Sequence, residues 1–386
     1  MAVDKYGNIL PKGIFYKDGI YLGRFQYKKE KYSVRHKDLN TAIEMLEDKK
    51  YEVRHGMCAK PNKLTFAEWF SKWIEEHRVM GVTKIRKSTY NQYKSHYKCY
   101  ISDGFKRKRI TDISNKDVIK LFDIMVEKDY SYNTIKSFRN MLSGVFSDAV
   151  TEGLLVDNPV ANAKIPKKDL KEEQRVLTVE EAVKFLEYAK FNELYYFFVT
   201  ALESGLRCGE LCALQWNCID FKNRRIKVKH TLQYNDGEYN LGEPKTQTSL
   251  RNVLMTDKAY TMLLEWKELQ QSLKEAMGKK WVPLSDIDNL VFTLSTGKPL
   301  SKAKIRDEIN RIVDTINADG FEMEHITSHT FRHSFATRCL ENGVSLKVLQ
   351  QLLGHAKLET TVNTYVHVLR GLEHREIYKL NGWENN

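Results

Sequence analysis

Between residues 13 and 36, GIFYKDGIYLGRFQYKKEKYSVRH, apolar and polar side chains alternate, and the alternation breaks at Lys17-Asp18-Gly19 and at Lys28-Lys29-Glu30. A period of two with turn residues at each break predicts a three-stranded meander. A helix is expected from about Leu39 to Lys50, packed on that sheet. After AKPNK at 59–63 the pattern becomes helical. Thr65 and Glu68 form a capping box, and Phe66, Trp69, Phe70, Trp73 and Ile74 fall on one apolar stripe, which reads as core. Further helices are expected at about 87–101, 114–128 and 131–152, with KRKR (106–109) in a loop, and the block closes at DNPVANAKIPKK.

From Gln174 the texture changes. Thr178 and Glu181 make a second capping box on a helix running to Lys190, an apolar helix follows at about 192–204, and RIKVK (225–229) alternates strictly. With a second strand before Met255, a hairpin or three-stranded sheet is expected between helices. Residues 257–280 read as an amphipathic helix and surface loop, and the helix holding HTFRHSF ends at Asn342-Gly343. Ser345 caps SLKVLQQLLG, in which Val348, Leu349, Leu352 and Leu353 are expected to face a core and Gly354 to close the helix. No internal repeat or low-complexity tract is evident. The whole reads as a multidomain α+β chain: a small three-stranded sheet plus helix, a helical bundle, and a mainly α domain with a small antiparallel β-sheet.

A length of 386 residues with 42% hydrophobic content suits two or three domains. The charge changes the picture more. Lys and Arg outnumber Asp and Glu by 62 to 50, and the net +12 arises entirely in the first 170 residues, which hold 33 basic and 21 acidic side chains against 29 and 29 in the rest. That favours a polyanionic partner for the N-terminal part; ribosomal, membrane-surface and DNA-handling proteins stay open. Arg24, Lys28, Lys31 and Arg35 stand beside Tyr16, Tyr21, Phe25, Tyr27 and Tyr32 in the meander, a composition equally suited to reading DNA with strands and to an ordinary solvated sheet. Lys106, Arg107, Lys108 and Arg109 are candidates for phosphate contact. The six cysteines show no C-x2-C spacing and read as free thiols in a reducing cytoplasm. No apolar leader or run of about 18 apolar residues occurs, so neither secretion nor membrane insertion is expected.

His329, Arg332 and His333 of HTFRHSF stand three and four residues apart, on one face of a helix. Such a patch can grip a metal, fill a structural niche or hold a phosphate. A metal takes three or four N, S or O ligands, and an arginine beside them repels a cation, so the phosphate clamp fits better and no metal is expected. No G-x-x-x-x-G-K-[ST] loop occurs, and no nucleotide or other cofactor is expected. Gly354-His355 follows the capped helix, and Tyr365 comes ten residues later in TTVNTYVHV. Upstream, Arg207 and Glu210 lie in LESGLRCGEL, and Lys245 lies in EPKTQTSLRNV.

This ordered set resembles the catalytic domain of the tyrosine recombinases, over roughly residues 174–380. The architecture ahead of it is similar to that of integrases of temperate phages and conjugative transposons. The resemblance implies an arm-type DNA-binding domain at 1–57, a helical, SAM-like core-binding domain at 63–168 and a catalytic domain at 174–386, and it tips the basic sheet towards DNA. It implies a site-specific recombinase that integrates and excises a mobile element through a 3′-phosphotyrosyl intermediate, as a homotetramer on double-stranded DNA with core and arm sites. An excisionase and a host DNA-bending protein would assist, in a bacterial cytoplasm.

The chemistry asks for a nucleophile, for cations on the phosphoryl oxygens and for an acid at the leaving oxygen. By resemblance, Tyr365 is the nucleophile, Arg207, Arg332 and His355 hold the oxygens, His329 assists proton movement at the tyrosine, and Lys245 protonates the departing 5′ oxygen. Lys222, Lys227 and Lys229 are rivals for that last role. Glu210 is expected to orient Arg207 and His333 to buttress the site, with core or capping roles as alternatives. The resemblance leaves a type IB topoisomerase as the main alternative; a DNA-binding regulator and a metal-dependent nuclease are further ones. The tail beyond Tyr365, with Leu372, Ile377, Tyr378, Leu380 and Trp383, is expected to pack on a neighbouring protomer or on its own domain.

Overall fold

The computed structural model describes the chain apart from residues 1, 5, 56–61, 82–83, 167–173, 236, 243–249, 285–286, 288, 363 and 366–386. Lys245 and the named tail residues lie outside the described residues. The chain divides into two compact units, Met1–Leu170 and Lys171–Asn386. Among the described residues, no helix is long and apolar enough to cross a membrane.

The first unit opens with the meander: β1 (Ile14–Lys17), β2 (Ile20–Tyr27) and β3 (Glu30–His36), antiparallel in that order. Lys28 and Lys29 make the second turn with left-handed backbone at both residues (φ 46° and 71°), a conformation whose twist matches that of the flanking strands. Helix α1 (Leu39–Arg54), capped by Asp38, covers one face. A Cβ at Gly23 would collide with Val34 of β3 and press on Leu46 of α1. The register pairs Tyr21 with His36 and Phe25 with Tyr32. Tyr21 and Tyr32 are buried, and Phe25 packs on the same core, so these aromatics serve packing rather than an open binding face. Leu22 with Arg35, Arg24 with Ser33 and Gln26 with Lys31 form the alternate set on the other face. Arg24, Lys31 and Arg35 are exposed there, and Arg24 lies over the ring of Phe15.

A second core in this unit is built by α2 (Phe66–Lys72), α3 (Lys87–Tyr100), α4 (Asp103–Arg107), α5 (Asn115–Glu127) and α6 (Tyr132–Thr151). The Thr65–Glu68 capping box is present, and the predicted stripe of Phe66, Trp69, Phe70, Trp73 and Ile74 is buried. Beyond Lys72 the helix widens into a π-helical turn, Trp73–Val79, where Arg78 and the Trp73 indole both donate to Asp148. The KRKR run is not a plain loop. Ser102 caps α4, whose last turn carries Lys106 and Arg107, while Lys108 is paired with Asp117 and Arg109 bridges to Thr65.

The second unit contains α7 (Val179–Ala189), α8 (Tyr195–Ser204), α9 (Cys208–Cys212), α10 (Asp257–Met277), α11 (Lys302–Ala318), α12 (Ser328–Glu341) and α13 (Leu346–Leu353). A three-stranded antiparallel sheet, β4 (Ile219–Asp220), β5 (Arg225–Val228) and β8 (Arg251–Leu254), lies beside a separate hairpin of β6 (Thr231–Asn235) and β7 (Glu238–Gly242). That hairpin is an addition to the sheet expected from sequence, as is α11. Of the four apolar residues expected inward on helix α13, Leu349 and Leu353 are fully buried and Leu352 is half-buried, while Val348 is exposed. The five described cysteines are free thiols.

Candidate active site

Helices α8 and α13 both end in a glycine with left-handed backbone, Gly205 at φ 61° and Gly354 at φ 64°. Such an end leaves carbonyls without helical partners and gathers the negative pole of the helix dipole. Arg332, on α12, is buried between the two ends. Its Nη1 donates to the Gly205 carbonyl at 2.8 Å and its Nη2 to the Leu353 carbonyl at 2.7 Å. Burial, and then the Arg207 charge, pull its guanidinium down to about 9, which leaves it charged at neutral pH.

Arg207 caps α9 from the residue after the Gly205-Leu206 turn. Its Nη1 donates to Glu210 at 2.8 Å and its Nη2 to the Gly354 carbonyl at 3.4 Å, with about a third of the side chain open to solvent. Glu210 is 6% exposed and serves two cations, because Arg251 of β8 donates to the same carboxylate through Nη1 (3.1 Å) and Nη2 (2.8 Å). Burial alone would raise the Glu210 carboxyl; the Arg251 hydrogen bond and charge, with those of Arg207, hold it at about 2. The cluster thus carries three guanidinium groups against one carboxylate.

His355 follows Gly354, and its two ring nitrogens are both engaged. Nε2 lies 3.0 Å from Arg332 Nη2, which can only donate, so Nε2 accepts and the proton sits on Nδ1, 2.9 Å from the Thr361 hydroxyl. Burial first, then the charges of Arg332 and Arg207, push this imidazole down to about 4. The expected donor to a phosphate is therefore an acceptor in the free site. His329, at the start of α12, is also lowered, by burial and then by Arg332 and Arg207.

Tyr365 is 1% exposed, packed with Phe335, Ala336, Leu340, Leu349 and Leu353. Its hydroxyl lies 3.1 Å from Nδ1 of His333. Burial raises the phenol to about 12, with the Arg332 charge opposing. The family resemblance gives the role of serving the tyrosine to His329, but the ring in hydrogen-bond contact with the phenol is His333; His329 stands one turn away, with 6.5 Å between the two histidine ring centroids.

Arg207, Glu210, His329, Arg332, His333, His355 and Tyr365 thus gather around α12 and the end of α13, while Lys245 lies outside the described residues. Lys227 stands on β5 opposite Asn252. Two residues were not anticipated. Arg251 shares the inward side of β8 with buried Val253, so an arginine in phase with a core valine was the available signal. Thr361 is four residues before Tyr365 and equally buried.

A model of the phage integrase family matches residues 175–371, just over half of the chain, and a model of the phage integrase N-terminal SAM-like domain matches residues 65–126. A tyrosine recombinase XerC-like protein of Caldanaerobacter subterraneus is 28% identical over 333 residues, 82% of this chain and 83% of that protein. The ICEBs1 integrase of Bacillus subtilis is 26% identical over 332 residues, 85% of each chain. The structure of the Tn1549 transposon integrase in complex with transposon right end DNA is 26% identical with a TM-score of 0.68, covering 81% of this chain and 99% of that one. The chain belongs to the phage integrase family. It is a tyrosine recombinase of the conjugative-transposon and phage type, a DNA strand breaking and rejoining enzyme of site-specific recombination.

Proposed function

We propose that Tyr365 attacks a DNA phosphodiester held by Arg207 and Arg332, forms a 3′-phosphotyrosyl bond and releases a 5′ hydroxyl, and that the reverse reaction on an exchanged strand completes integration or excision. The observation that carries this reading is the excess of guanidinium over carboxylate around two helix ends, next to a histidine-bound phenol. A site with that surplus is complementary to an anion, and planar forks match two phosphoryl oxygens.

As the phenol oxygen bonds to phosphorus the P–O5′ bond breaks. The phenol's proton passes to a base, and His333 Nδ1 is within hydrogen-bond reach of it. The leaving 5′ oxygen needs a proton, the role the resemblance gives to Lys245. Burial first, and then the arginine charges, depress the His355 pKa; a phosphate beside it opposes the second of these and so favours a His355 that donates to a phosphoryl oxygen. The ester retains the bond energy for rejoining, and the cluster of cations supplies the charge that metal ions give other nucleases.

In the same reading, residues 1–57 bind arm-type sites through Arg24, Lys31 and Arg35 on the open sheet face and Lys28 at its turn. Residues 63–168 bind core sites, with Lys106, Arg107, Lys108 and Arg109 on the backbone, and four protomers assemble on two core sites. An excision factor and a host DNA-bending protein set direction in the bacterial cytoplasm. The test is a plasmid with two copies of the junction DNA that flanks the gene's own element, incubated with protein and chelator. Deletion products dependent on those sites support recombination; relaxation of any plasmid regardless of sequence would reassign the enzyme to the topoisomerases.

A further inference from the structure

Arg251 opens β8 and faces inward, with 6% of its side chain exposed. A guanidinium taken that far from water is stable only if its donors are met. They are met by two different parts of the site. Its Nη1 and Nη2 form a fork on the Glu210 carboxylate, and its Nε donates to the Leu352 carbonyl at 2.6 Å. Glu210 in turn binds both the guanidinium and the backbone N–H of Arg207, at 2.8 Å and 2.9 Å.

The end of α13 shows why this matters. Three successive carbonyls accept from three different arginines: Leu352 from Arg251, Leu353 from Arg332 and Gly354 from Arg207. The next residue is His355. A Cβ at Gly354 would stand 3.0 Å from Arg251 Nη1, close enough that the guanidinium would have to give way. Arg251 is thus wedged between the carboxylate bound to Arg207 and the turn that carries His355.

We propose that Arg251 is a positioning residue for strand cleavage: its fork fixes Glu210 and thereby the Arg207 guanidinium, while its Nε fixes the turn that presents His355. The inference deepens the reaction proposed above and rests on it. Lysine keeps the charge but lacks the planar fork, so one ammonium cannot reproduce the two-point grip on Glu210 together with the Nε bond to Leu352.

The test is the single-turnover rate of covalent adduct formation by the full-length protein on a nicked suicide duplex, for Arg251→Lys in the wild-type and in the Arg207→Lys backgrounds, with DNA affinity and Tm measured alongside. A misplaced guanidinium slows chemistry without weakening binding, so Arg251→Lys is expected to lower the rate about tenfold to a hundredfold, with affinity unchanged. In the Arg207→Lys background it is expected to slow the rate less, because one of the two groups it positions is already lost and only its hold on the turn of His355 remains. Equal slowing in both backgrounds, in step with a fall in Tm, would make Arg251 a plain structural ion pair and overturn the inference, as would an undiminished rate. If Arg251→Lys does not fold, Arg251→Met combined with Glu210→Gln is compared with Glu210→Gln alone: a folded double variant as fast as the single one overturns the inference, and a folded, slower one with intact affinity upholds it. Absence of adduct from the wild type itself would overturn the reaction, and this inference with it.

Discussion

The Tyr365 hydroxyl lies 3.1 Å from Nδ1 of His333, and the tyrosine is 1% exposed. The contact ties the phenol proposed as nucleophile to the same helix that carries Arg332, the arginine proposed to hold the phosphate. His333 is partly buried and cannot be replaced by an apolar side chain without leaving the phenol unpartnered. His333→Leu is expected to slow adduct formation by about a hundredfold, the usual scale for losing a placed general base. Single-turnover rates on a nicked duplex check this; a faster variant would mean that the contact restrains the phenol instead of activating it.

Acid should weaken the fold through His355. Its imidazole is held at about 4, below the usual value for histidine, so it is neutral in the folded site while the unfolded chain still takes up a proton below about 6.5. The stability this reflects is fully present above pH 6.5 and is lost as pH falls towards 4, on the order of 3 kcal/mol in all. Glu210, held at about 2, adds a second loss below the usual carboxylate range. Between pH 7 and pH 5 the Tm of His355→Gln, which does not titrate, is expected to fall less than that of the wild type. Equal falls would contradict the assignment.

Glu210→Gln removes the one carboxylate shared by Arg207 and Arg251. Two guanidinium groups are left facing a neutral amide, one of them buried, and breaking such a pair costs about 3–5 kcal/mol. Denaturant titration should show a loss of that order, and inorganic sulfate or phosphate should restore part of it by occupying the uncompensated site.

The two closing glycines should respond unequally. Alanine at Gly354 must adopt φ 64°, at a cost of about 1–2 kcal/mol, and press on Arg251. Alanine at Gly205 meets the same backbone penalty and in addition overlaps the Phe335 ring. Gly205→Ala is therefore expected to be the more destabilising in thermal melts, and both should slow cleavage, because each displaces a carbonyl that holds an arginine.

Local chemistry was legible in the sequence. The capping boxes at Thr65 and Thr178, the meander turns and the Ser345 cap each depend on residues within three or four positions, and each is where the pattern puts it. The partners inside the site are another matter. Glu210 and Arg251 are 41 residues apart, and nothing in periodicity tells a buried arginine from a solvated one on a strand. His329, Arg332 and His333 share a helix face by spacing, yet only packing decides that Arg332 points between two helix ends and His333 towards Tyr365. The helix Lys302–Ala318 shows a plain signal, Ile305, Ile309, Ile312, Val313 and Ile316 at helical spacing, that charged neighbours on the other face obscure. The β6–β7 hairpin has no such excuse in its turn: Asn235, Asp236 and Gly237 form a strong hairpin sequence.

The most direct test of the central claim, that Tyr365 is the nucleophile of a strand-cleaving site, uses a nicked suicide duplex carrying the element's own end. Wild type and Tyr365→Phe are incubated with it in chelator and resolved on a denaturing gel. A protein–DNA adduct from the wild type alone is the predicted result. An adduct that survives Tyr365→Phe would place the nucleophile elsewhere and contradict the account.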